Sequence, residues 1–492
     1  MSADGRHAGA AALISPLAAA GRADEVVARV SQAIQLGLFI DGEQLPAETE
    51  FAAQLGVSAM TLREALAVLR QQGLVETRRG RTGGTFVRRP SSPPLHDLRS
   101  RLLGMTVSTL RDLADEQFAV SGAAARLAAA RASAGNVRRL LILAEQLRKA
   151  SSLGSRIRAD SRFHIEVALA SQSERLTRLE VGLQTQLADL LWLPHDCELS
   201  VAEVAAEHQS IAEAIAAEDG DRARALAERH VEHGLRRLTL LRLAAAEAGL
   251  GTGVAGSFDQ ALVRVGAALE DVFGHVSQVA GALVAEQRSC RRAGEQLTAE
   301  RLGRLRDVMQ RQLGELPSAA GVGVVAAPGL VAGHERHLEW WQRRAGGGYT
   351  RLRLNLDRAS VDLYDYLDMD WFTVPRTLRR RCVYGPYIDF TCADRYVLTM
   401  TMPVLDGEES FLGVAGADVA MSHFEPGLLA ILRTAPSDTV LVTAERRVLA
   451  ANTPRWIAGA RLDRLPAAGD GTFAAAAEVG ADSGWVLAVA AS

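Results

Sequence analysis

Asp160 and His164 stand four residues apart in the segment Asp160-Ser161-Arg162-Phe163-His164, a spacing that sets both side chains on one face of an α-helix. Two more histidines follow in segments of helical texture, His208 in Glu207-His208-Gln209-Ser210-Ile211 and His230 in Glu228-Arg229-His230-Val231. One carboxylate and three imidazoles from three helices form a donor set suited to a divalent ion of the zinc, nickel or manganese class. Such a set leaves coordination positions open for water or a small oxyanion. Taken singly, each histidine reads as an ordinary surface or capping residue. The group gains meaning only if a bundle gathers the helices.

A second constellation lies far downstream. Tyr364, Tyr366, Trp371 and Tyr387 stand before and along short alternating segments, with Asp389 and Asp418 nearby in the same texture. Aromatic side chains so placed can wall a small pocket, and the two carboxylates can anchor a cationic group. The competing reading, weighted equally for any one aromatic, is core filling. A third constellation is basic: five arginines and no acid lie between Arg78 and Arg89. A concentrated basic hairpin suits phosphate contact and groove insertion.

Composition removes several chemistries. Of 55 basic residues only Lys149 is lysine, the other 54 being arginine. A phosphate-binding loop of the Walker type needs lysine directly before Ser or Thr, whereas Lys149 sits in Leu147-Arg148-Lys149-Ala150. A Schiff-base enzyme would have to use this same residue. The 4 cysteines, Cys197, Cys290, Cys382 and Cys392, form no C-x-x-C pair, so neither a disulfide scaffold nor a zinc finger is indicated. No apolar run is long enough to span a bilayer. A net charge of −3 with 48% hydrophobic residues is that of a globular chain, read here as cytoplasmic. At 492 residues the length suggests about three domains.

The elements that must position these groups follow from periodicity. Residues 1–22 are Ala/Gly-rich and read as a flexible lead-in. Val26, Val27, Val30, Ala33 and Ile34 recur at helical spacing, and a strand-like insert follows at Phe39–Leu45. Helices are predicted at about Ala47–Leu55 and Ser58–Gln72, and strands at Leu74–Arg79 and Gly84–Arg89. Helix, turn, helix and arginine-rich hairpin make a winged helix-turn-helix over 23–90. Residues 91–104 are expected to be linker, and 105–247 a bundle of six or seven antiparallel helices. A glycine-rich hinge is expected at 248–257. Beyond it, 258–490 should form an antiparallel-sheet domain led by a long helix with an apolar stripe from Phe258 to Leu283, then a second helix at about Leu297–Leu316.

The first unit resembles the DNA-binding domain of GntR regulators. The resemblance lies in Leu45-Pro46-Ala47-Glu48, Gly56-Val57-Ser58, Leu62-Arg63-Glu64-Ala65-Leu66, Gly73-Leu74-Val75 and Gly83-Gly84-Thr85-Phe86-Val87. It implies that Ser58, Thr61 and Arg63 face DNA from the recognition helix, and that Arg79, Arg81, Gly83 and Gly84 serve the wing. Thr49 and Ala59 stand where family members usually carry arginine, which shifts readout toward Arg63 and the wing. Asp160-x-x-Phe163-His164, Glu207-His208-x-x-Ile211-x-x-Ala214-Ile215 and His230 resemble the FadR-type (FCD) ligand domain, which implies metal ligation by Asp160, His164, His208 and His230 and contact with a carboxylate effector. His233 is the rival to His230, which the preceding Ala225-Leu226-Ala227-Glu228-Arg229 favours. Gln117 and Ser121 replace the Arg and Glu frequent in that family's first helix, and Glu174 its usual Asn.

The C-terminal third resembles Cache sensor domains, a PAS-like module, through Tyr366-x-x-x-Asp370-Trp371-Phe372 and Gly385-Pro386-Tyr387-x-Asp389. Amino-acid-binding members often carry arginine two residues before the tryptophan. Met369 takes that place here, which argues against a carboxylate clamp. The whole reads as a ligand-responsive transcriptional regulator, a repressor by the commoner family logic. It would act as a homodimer on double-stranded operator DNA of a metabolic or transport operon, with a small-molecule effector, no membrane partner and no catalytic residue. Two alternatives are a fusion to a degenerate aminotransferase-like domain, opposed by the position of Lys149, and a metalloenzyme on Asp160, His164, His208 and His230. The enzyme would need a general base at the ion. Glu207 adjoins His208, but neighbouring helical residues point apart.

Overall fold

A computed structural model describes residues 23–39, 41–79, 83–88, 95–194, 200–247, 257–344, 346–357, 363–389, 395–407, 409–435, 437–480 and 482–491. The chain divides into two compact units, one of residues up to 249 except 106–109, the other of 106–109 and 250–492.

In the first unit, α1 (Ala23–Gln35) buries Val26, Val30, Ala33 and Ile34, the stripe that its periodicity predicts. It packs with α2 (Glu48–Leu55) and α3 (Ala59–Gln71) around Phe51, Leu55, Leu62, Leu66 and Leu69. Gly56 ends α2 in the left-handed region at φ 68°, where a side chain would be strained, and so turns the chain into α3. The wing strands β1 (Val75–Arg78) and β2 (Gly84–Val87) pair antiparallel. The insert expected as a strand at Phe39–Leu45 reduces to one bridge, Gln44 to Phe86, because Gly42 at φ 78° breaks its extension. The expected linker holds a helix, α4 (Leu95–Gly104). Its Leu98 and Leu102 bury themselves with Leu187, Leu190, Leu238 and Leu241, an apolar gain that a short polar tether would forgo.

Six further helices complete this unit, the first of them from residue 110 onward: α5 (Val107–Arg131), α6 (Ala134–Arg148), α7 (Leu153–Ala170), α8 (Glu174–Leu191), α9 (Val201–Ala216) and α10 (Gly220–Glu247). Ser133, Ser152, Ser173 and Ser200 each cap the helix that follows by accepting a backbone N–H. Twelve residues of α7 are buried, polar ones included, so this helix runs through the centre of the bundle.

In the second unit α11 (Phe258–Ala293) starts from a Ser257–Gln260 capping box and ends at Gly294, φ 65°. Val265, Leu269, Val272, Val276, Val279 and Leu283 are buried, as the stripe predicts. The expected second helix breaks into α12 (Ala299–Gly303) and α13 (Arg306–Glu315). Gly303 disfavours helix there, and the Arg304 and Leu305 amides tighten onto carbonyls three residues back. β3 (Ala319–Ala326), β4 (Leu338–Arg343), β5 (Tyr349–Arg351), β6 (Cys382–Asp389), β7 (Arg395–Leu405) and β8 (Phe411–Ala420) form an antiparallel sheet in the order β5-β4-β3-β8-β7-β6. Helix α14 (Asp370–Leu378) packs on it, and a four-stranded antiparallel sheet follows within 439–490. Winged helix-turn-helix, helical bundle and an antiparallel-sheet domain with a long leading helix thus succeed one another along the chain. Among the described residues no helix is long and apolar enough to cross a membrane.

Candidate functional site

The bundle brings Asp160, His164, His208 and His230 together, with one ligand atom from each lying within 4.8 Å of the others. Helix α7 supplies the first two from successive turns, α9 supplies His208 and α10 supplies His230. His208 Nε2 is 3.5 Å from Asp160 Oδ1, and His164 Nε2 is 3.2 Å from His230 Nε2. Asp160 and His208 are fully enclosed, yet Asp160 Oδ2 and both ring nitrogens of His208 have no hydrogen-bond partner. Buried polar atoms are normally satisfied, and leaving several orphaned in one place costs free energy that an ion would recover. Burial pushes Asp160 up to about 6 and holds His164 and His208 well below the usual histidine range. Neutral imidazole is the form that ligates a metal. Donor types, spacing and orphaned atoms all fit a divalent cation.

Glu207 orients the site. Its two oxygens engage His230 Nδ1 and His233 Nδ1, each at 2.6 Å. A carboxylate on Nδ1 fixes the tautomer and turns Nε2 toward the cluster. Burial would raise the Glu207 carboxyl, but its bonds to His230 and His233 outweigh that and hold it below the usual range. His233 is half exposed and on the far side of Glu207, so His230 and not its rival faces the cluster. Two cavities flank the group. One of about 190 Å³ is walled by Asp160, Trp192, Glu203, Glu207, His230 and Arg237. The other, about 10 Å³ and no larger than a single water would fill, is lined by Ser121, Phe163, His164 and Glu180. Glu180 is buried and raised by that burial, although Gln184 and Ser121 donate to it.

At the winged unit, Ser58 caps α3 by accepting from the Thr61 amide at 3.0 Å, and the two hydroxyls are 2.8 Å apart. Arg63 projects outward and its Nε donates to Glu48 at 2.8 Å, leaving the two terminal nitrogens for another acceptor. In the wing, Glu76 pairs with Arg78 and Arg88 at 2.7 and 2.8 Å. Arg79 is exposed, while Arg81 lies outside the described residues. Gly83 accepts a hydrogen bond from Gln44, and a Cβ on Gly84 would collide with that same side chain.

The sheet domain holds a cavity of about 30 Å³ whose walls include Tyr364, Trp371, Tyr387, Asp389 and Asp418. Tyr366 is not among them. It is fully buried and packs edge-on against Phe372 at 5.2 Å, so it serves the core behind the cavity wall. Trp340 and Thr399 also line the cavity. A Cβ on Gly321 would stand 2.5 Å from Trp340 Nε1 and 3.4 Å from Asp418 Oδ2, so that glycine lets the indole lie beside the carboxylate. Tyr387, Thr399 and Asp418 form a chain across three strands, 2.8 Å between the hydroxyls and 2.7 Å from Thr399 to the acid. Burial, reinforced by the Asp389 charge, raises Asp418 to about 7 despite the Thr399 bond.

Residues 22–87 match the gntR family of bacterial regulatory proteins, and 113–233 match the FCD domain. Over 223 residues the chain is 42% identical to RmpR of Mycobacterium gastri, described as an HTH-type transcriptional regulator, covering 44% of this chain and 80% of that one. It belongs to the gntR family. This GntR-family chain is also 30% identical over 221 residues to the Uxu operon transcriptional regulator of Escherichia coli (strain K12), covering 44% of this chain and 85% of that one. A solved structure of a methyl-accepting chemotaxis protein aligns over 48% of this chain and 97% of its own, with 16% identity and a TM-score of 0.32.

All four cluster residues of this GntR-family regulator fall within the FCD match, and the described recognition-helix residues within the gntR match. The sequence weighs Glu207 only as a general base and sets it aside because its neighbour His208 points elsewhere on α9, so its role in orienting His230 was missed. The signal available was that Glu207 stands beside a ligand while His230 and His233 lie three apart on the next helix. Trp340 and Thr399 were missed because a strand's inward face cannot be chosen before its register is known.

Proposed function

We propose that this regulator binds double-stranded operator DNA as a homodimer in the cytoplasm and represses a metabolic or transport operon until effector binding loosens its grip. Asp160, His164, His208 and His230 would hold a divalent ion of the zinc, nickel or manganese class. When bound, that ion would supply Lewis-acid positions for a carboxylate-bearing effector. The cavity that reaches the cluster also carries Arg237, a second attraction for an anion. The observation that carries this reading is the set of orphaned buried ligand atoms at Asp160 and His208. Because Glu207 is engaged by two histidines, it is not poised as a general base, which favours a sensor over a catalyst.

The sheet-domain cavity reads as a second sensory site. Two buried carboxylates, Asp389 and Asp418, stand in an aromatic wall with Met369 where an arginine would clamp an acid. That chemistry selects a small amine without a carboxylate. A relative is named as the Uxu operon transcriptional regulator, in keeping with control of an operon here. The test is a footprint of purified protein on DNA upstream of its own operon, with and without chelator, organic acids and amines. Protection that metal removal or one effector class alters supports the reading. Affinity no better than for random duplex under every condition defeats it.

A further inference from the structure

The recognition helix presents an apolar tip. Leu62, Ala65, Leu66 and Leu69 bury the inner face of α3, and the outward face begins at Met60 and continues through Arg63 and Glu64. Met60 is 73% exposed, more than any other large apolar side chain among the described residues. Ala59 beside it is partly exposed, so the first turn offers methyl and thioether groups where a polar reader would be expected. The polar groups nearby are already engaged: Ser58 and Thr61 bond each other, and Arg63 is steered by Glu48. Residues in the first turn of such a helix meet base edges in the major groove, where the thymine 5-methyl is the apolar feature.

Resting on the DNA-binding reading, we propose that Met60 is a specificity-determining residue that packs on a thymine 5-methyl group. Arg63 lies three positions on, about 4.5 Å along the helix axis, comparable to one base step. With its Nε held by Glu48, its two terminal nitrogens remain to face guanine O6 and N7. Each half-site should therefore contain a thymine within about one step of the guanine that Arg63 reads.

Selection from a randomised duplex pool with the full-length protein yields the preferred sequence even where the operator has not been located. Each thymine of that sequence is then replaced by deoxyuracil, which removes only the methyl group. At one position per half-site wild-type affinity should fall about fourfold, the effect of unburying one methyl. Met60→Ala should bind thymine and deoxyuracil there equally, with an unchanged melting temperature, while Met60→Leu restores the preference. Equal binding of thymine and deoxyuracil at every position by the wild type, or a preference that survives in Met60→Ala, overturns the inference while leaving DNA binding intact. Failure to enrich any sequence overturns the DNA-binding reading and this inference with it.

Discussion

The ring of Phe163 lies flat against the imidazole of His208, with centroids 3.9 Å apart and planes 6° from parallel. Phe163 is itself fully buried and comes from the same turn of α7 that supplies His164. The stack fixes the plane in which His208 offers its nitrogens and seals the cluster on one side. Phe163→Ala should destabilise the protein by about 3–5 kcal/mol and weaken metal binding with it. Phe163→Leu should keep most of the stability while losing the stack. Urea unfolding of metal-free and metal-loaded protein separates the two effects.

Removing a ligand should remove the stabilisation that the ion confers. Wild-type protein titrated with zinc, nickel or manganese should melt at a higher temperature for at least one of them, since a ligand that prefers the folded state stabilises it. His164→Ala should lose that rise. Calorimetric scans with added chelator check this directly. No rise with any of the three ions would remove the metal from the account.

The two histidines that share Glu207 should not be equivalent. Glu207→Gln leaves the ligands in place but removes the carboxylate that steers His230, so metal affinity should drop about 10–100-fold. His233→Gln should change it far less, because His233 is outside the cluster. Competition with a fluorescent chelator gives both values.

Asp418 should make stability depend on pH. Its folded carboxyl is held at about 7, against 3.8 for an ordinary aspartate, so between those values the folded form keeps a proton that the unfolded chain has lost. Stability from this group is therefore full at the acidic end and falls as pH rises through 7. Asp418→Asn should flatten that slope. A cationic ligand needs the carboxylate, so binding of an amine should strengthen toward pH 7 and release a proton below it. Melting curves across pH 4.5–8 for both proteins, about one unit apart, test the sign.

Arg63→Ala should abolish sequence-specific DNA binding without loss of fold, the side chain being exposed and outside the core. Glu48→Gln should cost less, since it frees the guanidinium without deleting it. Gel shifts at fixed salt against the preferred duplex and a scrambled one distinguish the two.

The gathering of Asp160, His164, His208 and His230 is legible because its pattern is local twice over: Asp160 and His164 share one helix face, and His208 and His230 each carry family-like neighbours. The wing and the long stripe of α11 were legible for the same reason, a period that burial enforces. What stayed hidden depends on partners distant in sequence. Leu95–Gly104 looked like a tether because its two inward leucines, Leu98 and Leu102, are too few to declare a period, and only Leu187 and Leu238 give them a place to go. Tyr366 was grouped with the pocket aromatics by proximity in sequence, yet it turns into the core beside Phe372 while Tyr364 reaches the cavity.

The hydroxyls of Tyr387 and Thr399 and the carboxylate of Asp418 occupy β6, β7 and β8 in turn. This row runs at right angles to the strands, like a stitch through adjacent threads. A guest that pulled on Asp418 would therefore tug three strands together, and its arrival would be felt by the fabric of the sheet rather than by one loop at its rim.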